Sequence, residues 1–397
     1  MNHHPQYPDL IVLGSTGSVG EQAMDVARAH GIPVRAVTAH SSVAAVEAQI
    51  REFHPDCAVL TDETAAADLR DRVADTHTRV LAGFQGITEA LHTVKTDNPL
   101  GITVENSILG EAGLLPTLET LKAGHKLALA NKESLVVGGE LVMSLAREKG
   151  TTILPVDSEH CAIFQCLRAG HPDEINRILL TASGGPFYGY TKERLQTVTK
   201  AMTLNHPTWK MGAKITVDSA TLMNKGFEVI EAVHLFGVAP EKVEVIVHRE
   251  SMIHSMVEYI DHSIIAQMSV PDMRHCVQYA LTHPRRLPAE GTLKQADLFA
   301  LGKLTFGRPD TEVFPLLALA RDCIAKGGAL PCVLNAANEI VVAGFLRDAI
   351  PFCRIPELVA RTVEELSYTV DWHSYEELMA ADRLARELAA KQVAMGR

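Results

Sequence analysis

A glycine-rich segment between the first apolar run and the first helical pattern constrains the fold of this chain more than any other feature. Residues 14–20 read GSTGSVG and directly follow the apolar run Leu10–Leu13. Glycine permits positive φ and lets the backbone approach a diphosphate, and a helix that starts there offers free N–H groups to that anion. The spacing GxxGxxG is a variant of the GxGxxG fingerprint. It predicts a dinucleotide-binding turn, followed by a helix that ends near His30 with Gly31 at C′.

Apolar runs alternate with helical patterns over the first 150 residues. The predicted strands are Leu10–Leu13, Val34–Thr38, Cys57–Leu60, Gly101–Val104, Lys126–Ala130 and Thr152–Val156. The predicted helices between them include Ser41–Phe53, Leu114–Lys122 and Ser134–Lys149. This alternation predicts an α/β fold in which helices cover both faces of a parallel sheet.

The end of the second predicted strand distinguishes NAD from NADP. Residues 36–42 read AVTAHSS and contain no acidic side chain of the kind that selects the NAD ribose. Arg35 and His40 are nearby, and the hydroxyls of Ser41 and Ser42 can donate hydrogen bonds. The pattern favours a 2′-phosphate and therefore NADP.

Two acidic residues, Asp157 and Glu159, follow the apolar run at residues 153–156. Their side chains point to one side if strand character persists through Ser158. Two close carboxylates repel unless a proton or cation lies between them, and a hard dication such as Mg²⁺ or Mn²⁺ fits such a pair. The alternative interpretation is an acidic strand end that caps a helix starting near His160.

Composition and charge exclude several classes of protein. The net charge of −11 argues against nucleic acid or an anionic membrane as the main partner. Seven scattered cysteines without a CxxC pair indicate a reducing compartment rather than a disulfide framework or a structural zinc site. No segment approaches the roughly 18 apolar residues of a membrane span, and the first residues lack the order of a signal peptide. We therefore expect a cytoplasmic protein.

Four later segments place polar side chains in patterns that suit a binding site. They are TASGGPF at 181–187, NHPTWKMG at 205–212, VDSATLMNKGFE at 217–228 and HRESMIHSMVE at 248–258. The first predicts an anion-binding turn and the second a lid that excludes water. The third places Asn224 and Glu228 on one helix face, with Lys225 available to a phosphate. The alternatives are an ordinary turn, a surface loop, a solvated helix face and a structural role for His254.

Together these segments resemble the 1-deoxy-D-xylulose 5-phosphate reductoisomerase family over nearly the whole chain. The resemblance is carried by GSTGSVG, LALANKESLV, ILPVDSEHCAIFQCL, TASGGPF, NHPTWKMGAKITVDSATLMNKGFE and ESMIHSMVEY. It implies an enzyme that uses NADPH and Mg²⁺ or Mn²⁺, with Co²⁺ as a further alternative. The implied reaction rearranges and reduces 1-deoxy-D-xylulose 5-phosphate to 2-C-methyl-D-erythritol 4-phosphate, in the methylerythritol phosphate route to isoprenoids.

The resemblance also implies roles for individual residues. The metal ligands would be Asp157, Glu159 and Glu228, and Lys132 would complete the catalytic set. Contacts with the dinucleotide are implied for Thr16, Gly17, Ser18, Val19, Ala39, His40, Ser41, Asn131, Glu133, Met211 and Gly212. Contacts with the small-molecule substrate are implied for Lys132, Ser158, Glu159, Ser183, His206, Trp209, Ser219, Asn224, Lys225, Glu228 and His254. The segment at 205–212 would close over the site.

The resemblance and the change of pattern along the chain predict the domain organisation. We expect a Rossmann-like NADP-binding domain at 1–151, a central α+β catalytic and dimerisation domain at 152–285, a linker at 286–310 and a C-terminal helical bundle at 311–397. The bundle rests on four helical patterns with Ala-rich apolar stripes. The family implies a homodimer, and strands after His248 could offer an exposed sheet edge to a second subunit.

Two other functions fit parts of the sequence. A simple NADP-dependent semialdehyde or polyol dehydrogenase needs no metal, and the aldehyde-oxidising kind needs an activated cysteine. Cys161 has no evident activating partner in the sequence. A dinucleotide sensor or scaffold would have no use for three acids gathered near Lys132.

Overall fold

A computed structural model describes residues 7–209, 211–289, 293–367, 372 and 374–395. The chain divides into two compact units. The functional domains expected from the sequence stay predictions. The first unit comprises Met1–Ser134, Val142–Cys161 and Asp272–Gln295. The second unit comprises Leu135–Leu141, Ala162–Pro271 and Ala296–Arg397.

The described residues form strands and helices that we number in chain order. The strands are β1 (Asp9–Leu13), β2 (Val34–Ala39), β3 (Cys57–Leu60), β4 (Arg79–Ala82), β5 (Ile102–Asn106), β6 (Lys126–Leu129), β7 (Ile153–Pro155), β8 (Ile175–Ala182), β9 (Val243–Val247), β10 (Ile253–Tyr259) and β11 (Ile264–Met268). The helices are α1 (Ser18–His30), α2 (Val43–Phe53), α3 (Glu63–Arg72), α4 (Gly83–Thr93), α5 (Leu114–Lys122), α6 (Glu133–Lys149), α7 (Ser158–Cys166), α8 (Lys192–Leu195), α9 (Lys200–Thr203), α10 (Ala213–Ala220), α11 (Met223–Phe236), α12 (Arg274–Thr282), α13 (Leu298–Leu301), α14 (Leu316–Lys326), α15 (Leu330–Leu346), α16 (Ile355–Leu366) and α17 (Tyr375–Met395).

The first unit contains a seven-stranded parallel sheet, which confirms the predicted α/β fold. Its strand order is β4-β3-β2-β1-β5-β6-β7. Strand β1 lies between β2 and β5, so the chain runs outward in opposite directions from β1. A crevice opens at such a switch point, outside the carboxyl ends of the strands, and it is where α/β sheets bind ligands. The glycine turn at residues 14–17 follows β1 directly.

The predicted first helix ends as the sequence indicates. Gly31 has φ of +61°, and its N–H donates to the carbonyl of Ala27 at the end of α1. Glycine adopts this left-handed conformation at no steric cost, which explains why the helix stops there. Helix α1 also packs against α12, which comes from a distant part of the sequence.

The second unit contains a four-stranded sheet in the order β11-β10-β8-β9. Strands β8 and β9 are parallel, whereas β10 is antiparallel to both of its neighbours. Helices α14 to α17 pack against one another, and α15 is largely buried among them. These four helices confirm the predicted C-terminal bundle. Within the residues that the structure describes, no helix is long and apolar enough to cross a membrane.

Candidate active site

The glycine turn at the switch point is tightly packed. Gly14 has φ of +86°, and a Cβ atom there would lie 3.1 Å from the backbone of Ser107. A Cβ atom at Gly20 would lie 2.2 Å from the carbonyl oxygen of Gly14. A Cβ atom at Gly20 would force the turn to shift, and at Gly14 both the positive φ and the close backbone of Ser107 disfavour a side chain. The turn therefore favours glycine at both positions. Of the predicted cofactor contacts, Thr16 and Gly17 lie in this turn, and Ser18 and Val19 begin α1.

Arg35 and His40 lie at opposite ends of β2. Arg35 lies near the amino end of β2, and its Nε is 2.6 Å from the Oδ2 of Asp9. Ligands of a parallel sheet lie at the carboxyl ends, so Arg35 lies at the opposite end of β2 from the expected dinucleotide site. His40 follows the carboxyl end of β2, directly after Ala39 and before Ser41, and its Nδ1 lies 2.7 Å from the Oγ1 of Thr61.

The acid pair lies at the start of a helix and not on a strand. Strand β7 ends at Pro155, and α7 begins at Ser158. The carbonyl of Asp157 accepts the N–H of Cys161 at 2.8 Å, so Asp157 already belongs to the first helical turn. The strand alternation expected for Asp157 and Glu159 is therefore wrong. The alternative interpretation, an acidic strand end that caps a helix, describes the backbone better. The helix starts at Ser158, two residues before the predicted start at His160.

A lysine and a histidine surround the Asp157 carboxylate. Its Oδ2 lies 2.8 Å from the Nζ of Lys132 and 3.6 Å from the Nδ1 of His160, whose side chain is fully buried. Burial alone would raise the pKa of Asp157, but the Lys132 ammonium and His160 outweigh it and hold that pKa below its usual range. The Ser158 hydroxyl donates to the Glu159 carboxylate. Carboxylate oxygens such as these are the ligands that Mg²⁺ and Mn²⁺ take in proteins.

The parallel sheet explains how Lys132 reaches Asp157. Strands β6 and β7 are hydrogen-bonded neighbours, and Leu129 pairs with Pro155 at their carboxyl ends. The residues that follow the two strands therefore emerge side by side. Lys132 and Asp157 were both candidates from the sequence, but His160 was not. No spacing pattern identifies a histidine three residues after an acid as the partner of that acid.

Asn131 connects the loop after β5 to the start of α6. Its Nδ2 donates to the carbonyls of Ile108 at 2.6 Å and Gly110 at 2.8 Å, while its Oδ1 accepts the N–H of Ser134 at 2.9 Å. Its side chain thus fixes the loop after β5 to the start of α6. Glu133, the first residue of α6, lies 3.2 Å from the same Nδ2.

The second unit contains a cluster of hydroxyls around His206. The Nε2 of His206 lies 3.1 Å from the Oγ of Ser183 and 3.1 Å from the Oγ of Ser219. Its Nδ1 accepts the backbone N–H groups of Thr208 and Trp209, at 3.2 and 2.9 Å. An Nδ1 that accepts leaves the proton of the neutral ring on Nε2. The ring therefore presents an N–H between two serine hydroxyls.

The charge of His206 is set by its surroundings. Burial lowers the pKa of His206 to about 4, and the positive charge of Arg249 acts in the same direction. His206 is therefore neutral at pH 7. The Nη1 of Arg249 donates to the carbonyls of Ser183 and Gly185, at 2.9 and 2.7 Å. Sequence analysis missed Arg249, which lies 64 residues from Gly185 along the chain.

Helix α11 provides a buried acid next to a lysine. Glu228 is 1% exposed, and its carboxylate pairs with the Lys225 ammonium and accepts from the Nδ2 of Asn224. The structure thus shows the predicted shared face of Asn224 and Glu228. The Lys225 ammonium, which the family resemblance assigns to a phosphate, neutralises Glu228 here.

Trp209, in the segment at 205–212, lies next to His254. The rings of Trp209 and His254 lie 6.2 Å apart, and the Nε2 of His254 is 3.1 Å from the carbonyl of Ser269. Met211 is half-buried, and exposed Gly212 is the N-cap residue of α10. Closure of this segment over a ligand stays a prediction, and Lys210 lies outside the described residues.

The parallel sheet, the glycine turn at its switch point and the Lys132–Asp157 pair at the carboxyl ends of β6 and β7 define a dinucleotide-dependent oxidoreductase. A family model described as 1-deoxy-D-xylulose 5-phosphate reductoisomerase matches residues 10–139, and two models of C-terminal domains of that enzyme match residues 153–236 and 268–388. The chain belongs to the 1-deoxy-D-xylulose 5-phosphate reductoisomerase family.

Individual relatives resemble the chain over its whole length. A 1-deoxy-D-xylulose 5-phosphate reductoisomerase of Bacteroides fragilis is 46% identical over 388 residues, which cover 96% of this chain and 98% of the relative. One of Desulfitobacterium hafniense is 48% identical over 380 residues, covering 95% and 97%. The Zymomonas mobilis enzyme, solved in complex with NADPH, is 41% identical with a TM-score of 0.90, covering 98% and 99%. A reductoisomerase solved with NADPH, fosmidomycin and magnesium is 36% identical with a TM-score of 0.90, covering 98% of each chain.

Proposed function

We propose that this protein converts 1-deoxy-D-xylulose 5-phosphate to 2-C-methyl-D-erythritol 4-phosphate with NADPH and a divalent cation, in the route to isoprenoids. The observation that carries the proposal is the Lys132–Asp157 pair at the carboxyl ends of β6 and β7, in a chain of this family. A simple dehydrogenase or a dinucleotide sensor would have no need of this buried pair. Solved relatives contain NADPH and magnesium, in agreement with both requirements.

The proposed cation ligands are the carboxylates of Asp157, Glu159 and Glu228. Their donor set fits a hard dication, because it consists of oxygen atoms with negative charge. Two of these acids already have a lysine ammonium beside them, so the protein tolerates their burial. When bound, Mg²⁺ or Mn²⁺ would act as a Lewis acid toward the substrate oxygens, and NADPH would supply the hydride.

The side chains of the protein bind and orient the two ligands. We propose that the Nε2–H of His206 and the hydroxyls of Ser183 and Ser219 donate to the substrate phosphate. Lys132 and Ser158 would contact the substrate oxygens near the acids. His40 and Ser41 follow the carboxyl end of β2 and are the proposed partners of the NADPH 2′-phosphate. Trp209, beside His254, would exclude water from the reacting atoms.

The experiment that tests the proposal is NADPH oxidation with 1-deoxy-D-xylulose 5-phosphate, with and without a metal chelator. We expect oxidation only when a divalent cation is present. Activity that persists under chelation would indicate a simple dehydrogenase instead. NADPH binding without turnover, at saturating Mg²⁺ and substrate, would indicate a sensor.

Replacing Gly185 by alanine should weaken binding of the substrate phosphate. Gly185 has φ of +66°, and a Cβ atom there would lie 2.6 Å from the carbonyl oxygen of Ser219. The substitution therefore pushes the Ser183 turn away from α10 and separates the two hydroxyls. We expect KM for the phosphorylated substrate to rise about tenfold or more, since a hydrogen bond to a charged group contributes about 1.5–3 kcal/mol. Steady-state kinetics at saturating NADPH measure the change.

Gly189→Ala is the matched control for this substitution. Gly189 has φ of +80°, but a Cβ atom there would meet no atom within 4 Å. The control carries the same backbone strain without the clash. An equal rise in KM for both variants would show that strain, and not displacement of Ser183, causes the effect.

We also propose that the protein is a homodimer in a reducing compartment, the cytoplasm. Strand β11 lies at an edge of its sheet and exposes Ile264, Ile265 and Met268, at 51%, 39% and 38%. An exposed apolar edge strand of this kind can pair with a second copy of the chain. None of the seven cysteines, all within the described residues, forms a disulfide. A mass of one chain in light scattering would contradict the dimer.

A further inference from the structure

Strand β5 carries a fully buried acid at the switch point of the sheet. Glu105 is 0% exposed and lies opposite Val12 on β1 and Ala128 on β6. Its Oε2 is 3.1 Å from the Oγ of Ser107, and its Oε1 has no hydrogen-bond partner among the described residues. An ionised carboxylate in such a position would be costly, because burial without a cation or several donors disfavours charge.

The hydrogen bonds around Ser107 indicate which form of the acid is present. The Oγ of Ser107 also lies 3.0 Å from the carbonyl oxygen of Leu13. One hydroxyl proton cannot serve both the Leu13 carbonyl and the Glu105 carboxylate. If Glu105 is protonated, it donates to the Ser107 hydroxyl, which in turn donates to Leu13. The geometry therefore fits a neutral acid that starts a chain of two hydrogen bonds.

This chain of hydrogen bonds ends at the glycine turn. Leu13 is the last residue of β1 and directly precedes Gly14. The backbone of Ser107 is the surface on which Gly14 packs, and the Ser107 N–H donates to the same Leu13 carbonyl at 2.9 Å. An ionised Glu105 would draw the Ser107 hydroxyl away from Leu13. It would also place a negative charge behind the turn that is proposed to bind the diphosphate.

We propose that Glu105 is a positioning residue for the dinucleotide: as a neutral acid it fixes the glycine turn through Ser107 and Leu13, and its ionisation weakens NADPH binding. The inference rests on the proposed NADPH dependence and deepens it. It predicts that the affinity of the protein for NADPH falls at alkaline pH.

The pKa of Glu105 supports this inference. Burial raises that pKa to about 8, and the hydrogen bond from Ser107 offsets only part of the rise. The charged or titratable side chains on the elements packed against β5 are Asp9 on β1, Lys126 on β6, Glu21, Asp25, Arg28 and His30 on α1, and Glu119 and Lys122 on α5. None of them contributes to the shift. The folded protein therefore holds Glu105 neutral at pH 7 and loses that proton as the pH rises through about 8.

The test compares NADPH affinity at several pH values between the natural protein and Glu105→Gln. Glutamine has the size of the neutral acid, can donate to Ser107 and does not ionise. NADPH fluorescence titrations on the full chain should give a Kd that rises about tenfold from pH 7 to pH 9 in the natural protein, because about a tenth of the molecules keep Glu105 neutral at pH 9. The Kd of Glu105→Gln should stay nearly constant over the same range.

Glu89→Gln is the matched control, since Glu89 lies in the same unit, is exposed and pairs with Arg79. It should follow the natural protein at every pH. The ionisations of NADPH itself are common to all three proteins and cancel in the comparison. Equal pH dependence in the natural protein and Glu105→Gln would overturn the inference. Failure of the natural protein to bind NADPH at any pH would instead overturn the proposed function.

A second measurement does not depend on the variant. The ¹³C chemical shift of the Glu105 carboxyl in the natural protein reports its ionisation directly. A midpoint near pH 8 is expected. A midpoint below pH 6 would overturn the inference, even if Glu105→Gln does not fold.

Discussion

Glu228→Gln is expected to lower turnover about 10³-fold while the second unit stays folded. Glutamine keeps the shape of the side chain but removes the negative charge proposed to bind the cation. A metal ion that polarises substrate oxygens contributes several kcal/mol to transition-state stabilisation, and each 1.36 kcal/mol corresponds to a factor of ten in rate. The substitution also removes the negative charge that pairs with the buried Lys225 ammonium. Metal affinity and turnover should therefore fall together.

Two measurements check this expectation. Titration of Mn²⁺ by calorimetry gives the metal affinity, and NADPH oxidation at increasing Mg²⁺ gives the turnover. The matched control is Glu339→Gln, because Glu339 also pairs with a basic residue of the second unit, Arg386, at 2.8 Å. The control removes an ion pair without removing a proposed ligand and should keep full activity. Unchanged activity of Glu228→Gln at limiting Mg²⁺ would rule out Glu228 as a ligand.

Asp157→Asn is expected to lower both turnover and stability. The side chains of Lys132 and Asp157 are only 9% and 12% exposed, so asparagine removes one charge of a buried ion pair. Breaking a buried pair in this way costs about 3 kcal/mol of the free energy of unfolding. Turnover should fall about 10³-fold as well, because the same carboxylate is a proposed cation ligand. Urea unfolding in the presence of a chelator separates the stability effect from metal binding.

The pH dependence of this stability difference follows from the pKa of Asp157. That pKa is lower in the folded protein than the ordinary value of 3.8. The carboxylate therefore stabilises the folded state fully above that ordinary value and loses its contribution as the pH falls below it. The difference between the natural protein and Asp157→Asn should be constant around pH 7 and shrink below about pH 4.

A double variant distinguishes the two effects of Asp157→Asn. Adding Lys132→Met removes the other charge of the buried ion pair, so the double variant should recover part of the lost free energy of unfolding. It should remain inactive, since both residues belong to the proposed catalytic set. A single variant as stable as the double variant would contradict the assigned Lys132–Asp157 pair.

The sequence predicts the parallel sheet well because each strand is a local pattern. The predicted strands lie within about two residues of β1, β2, β3, β5, β6 and β7. Strand β4 (Arg79–Ala82) was missed, because its apolar run is only three residues long and only Val80 in it is buried. The glycine turn was predicted correctly for a similar local reason, since a strand, a turn and a helix follow one another directly.

Side-chain partners from distant parts of the chain could not be predicted in this way. The expected strand through Asp157 was wrong because the choice between extending β7 and starting α7 depends on the surrounding fold. Arg35 is close to His40 in the sequence, yet it pairs with Asp9 on the neighbouring strand. Glu105 and Arg249 gave no signal, because an isolated acid or arginine shows neither its burial nor its partners.

The fixed ring of His206 has a consequence for the choice of inhibitors. Two backbone N–H groups occupy Nδ1, so the ring has only a donor left to offer toward the neighbouring serines. A ligand group that takes the place of the proposed substrate phosphate must therefore bring acceptor atoms, as a phosphonate, sulfonate or carboxylate does. An ammonium group at this position would face the Nε2–H donor of His206. The neutral ring could offer an acceptor there only by giving up both backbone contacts of Nδ1.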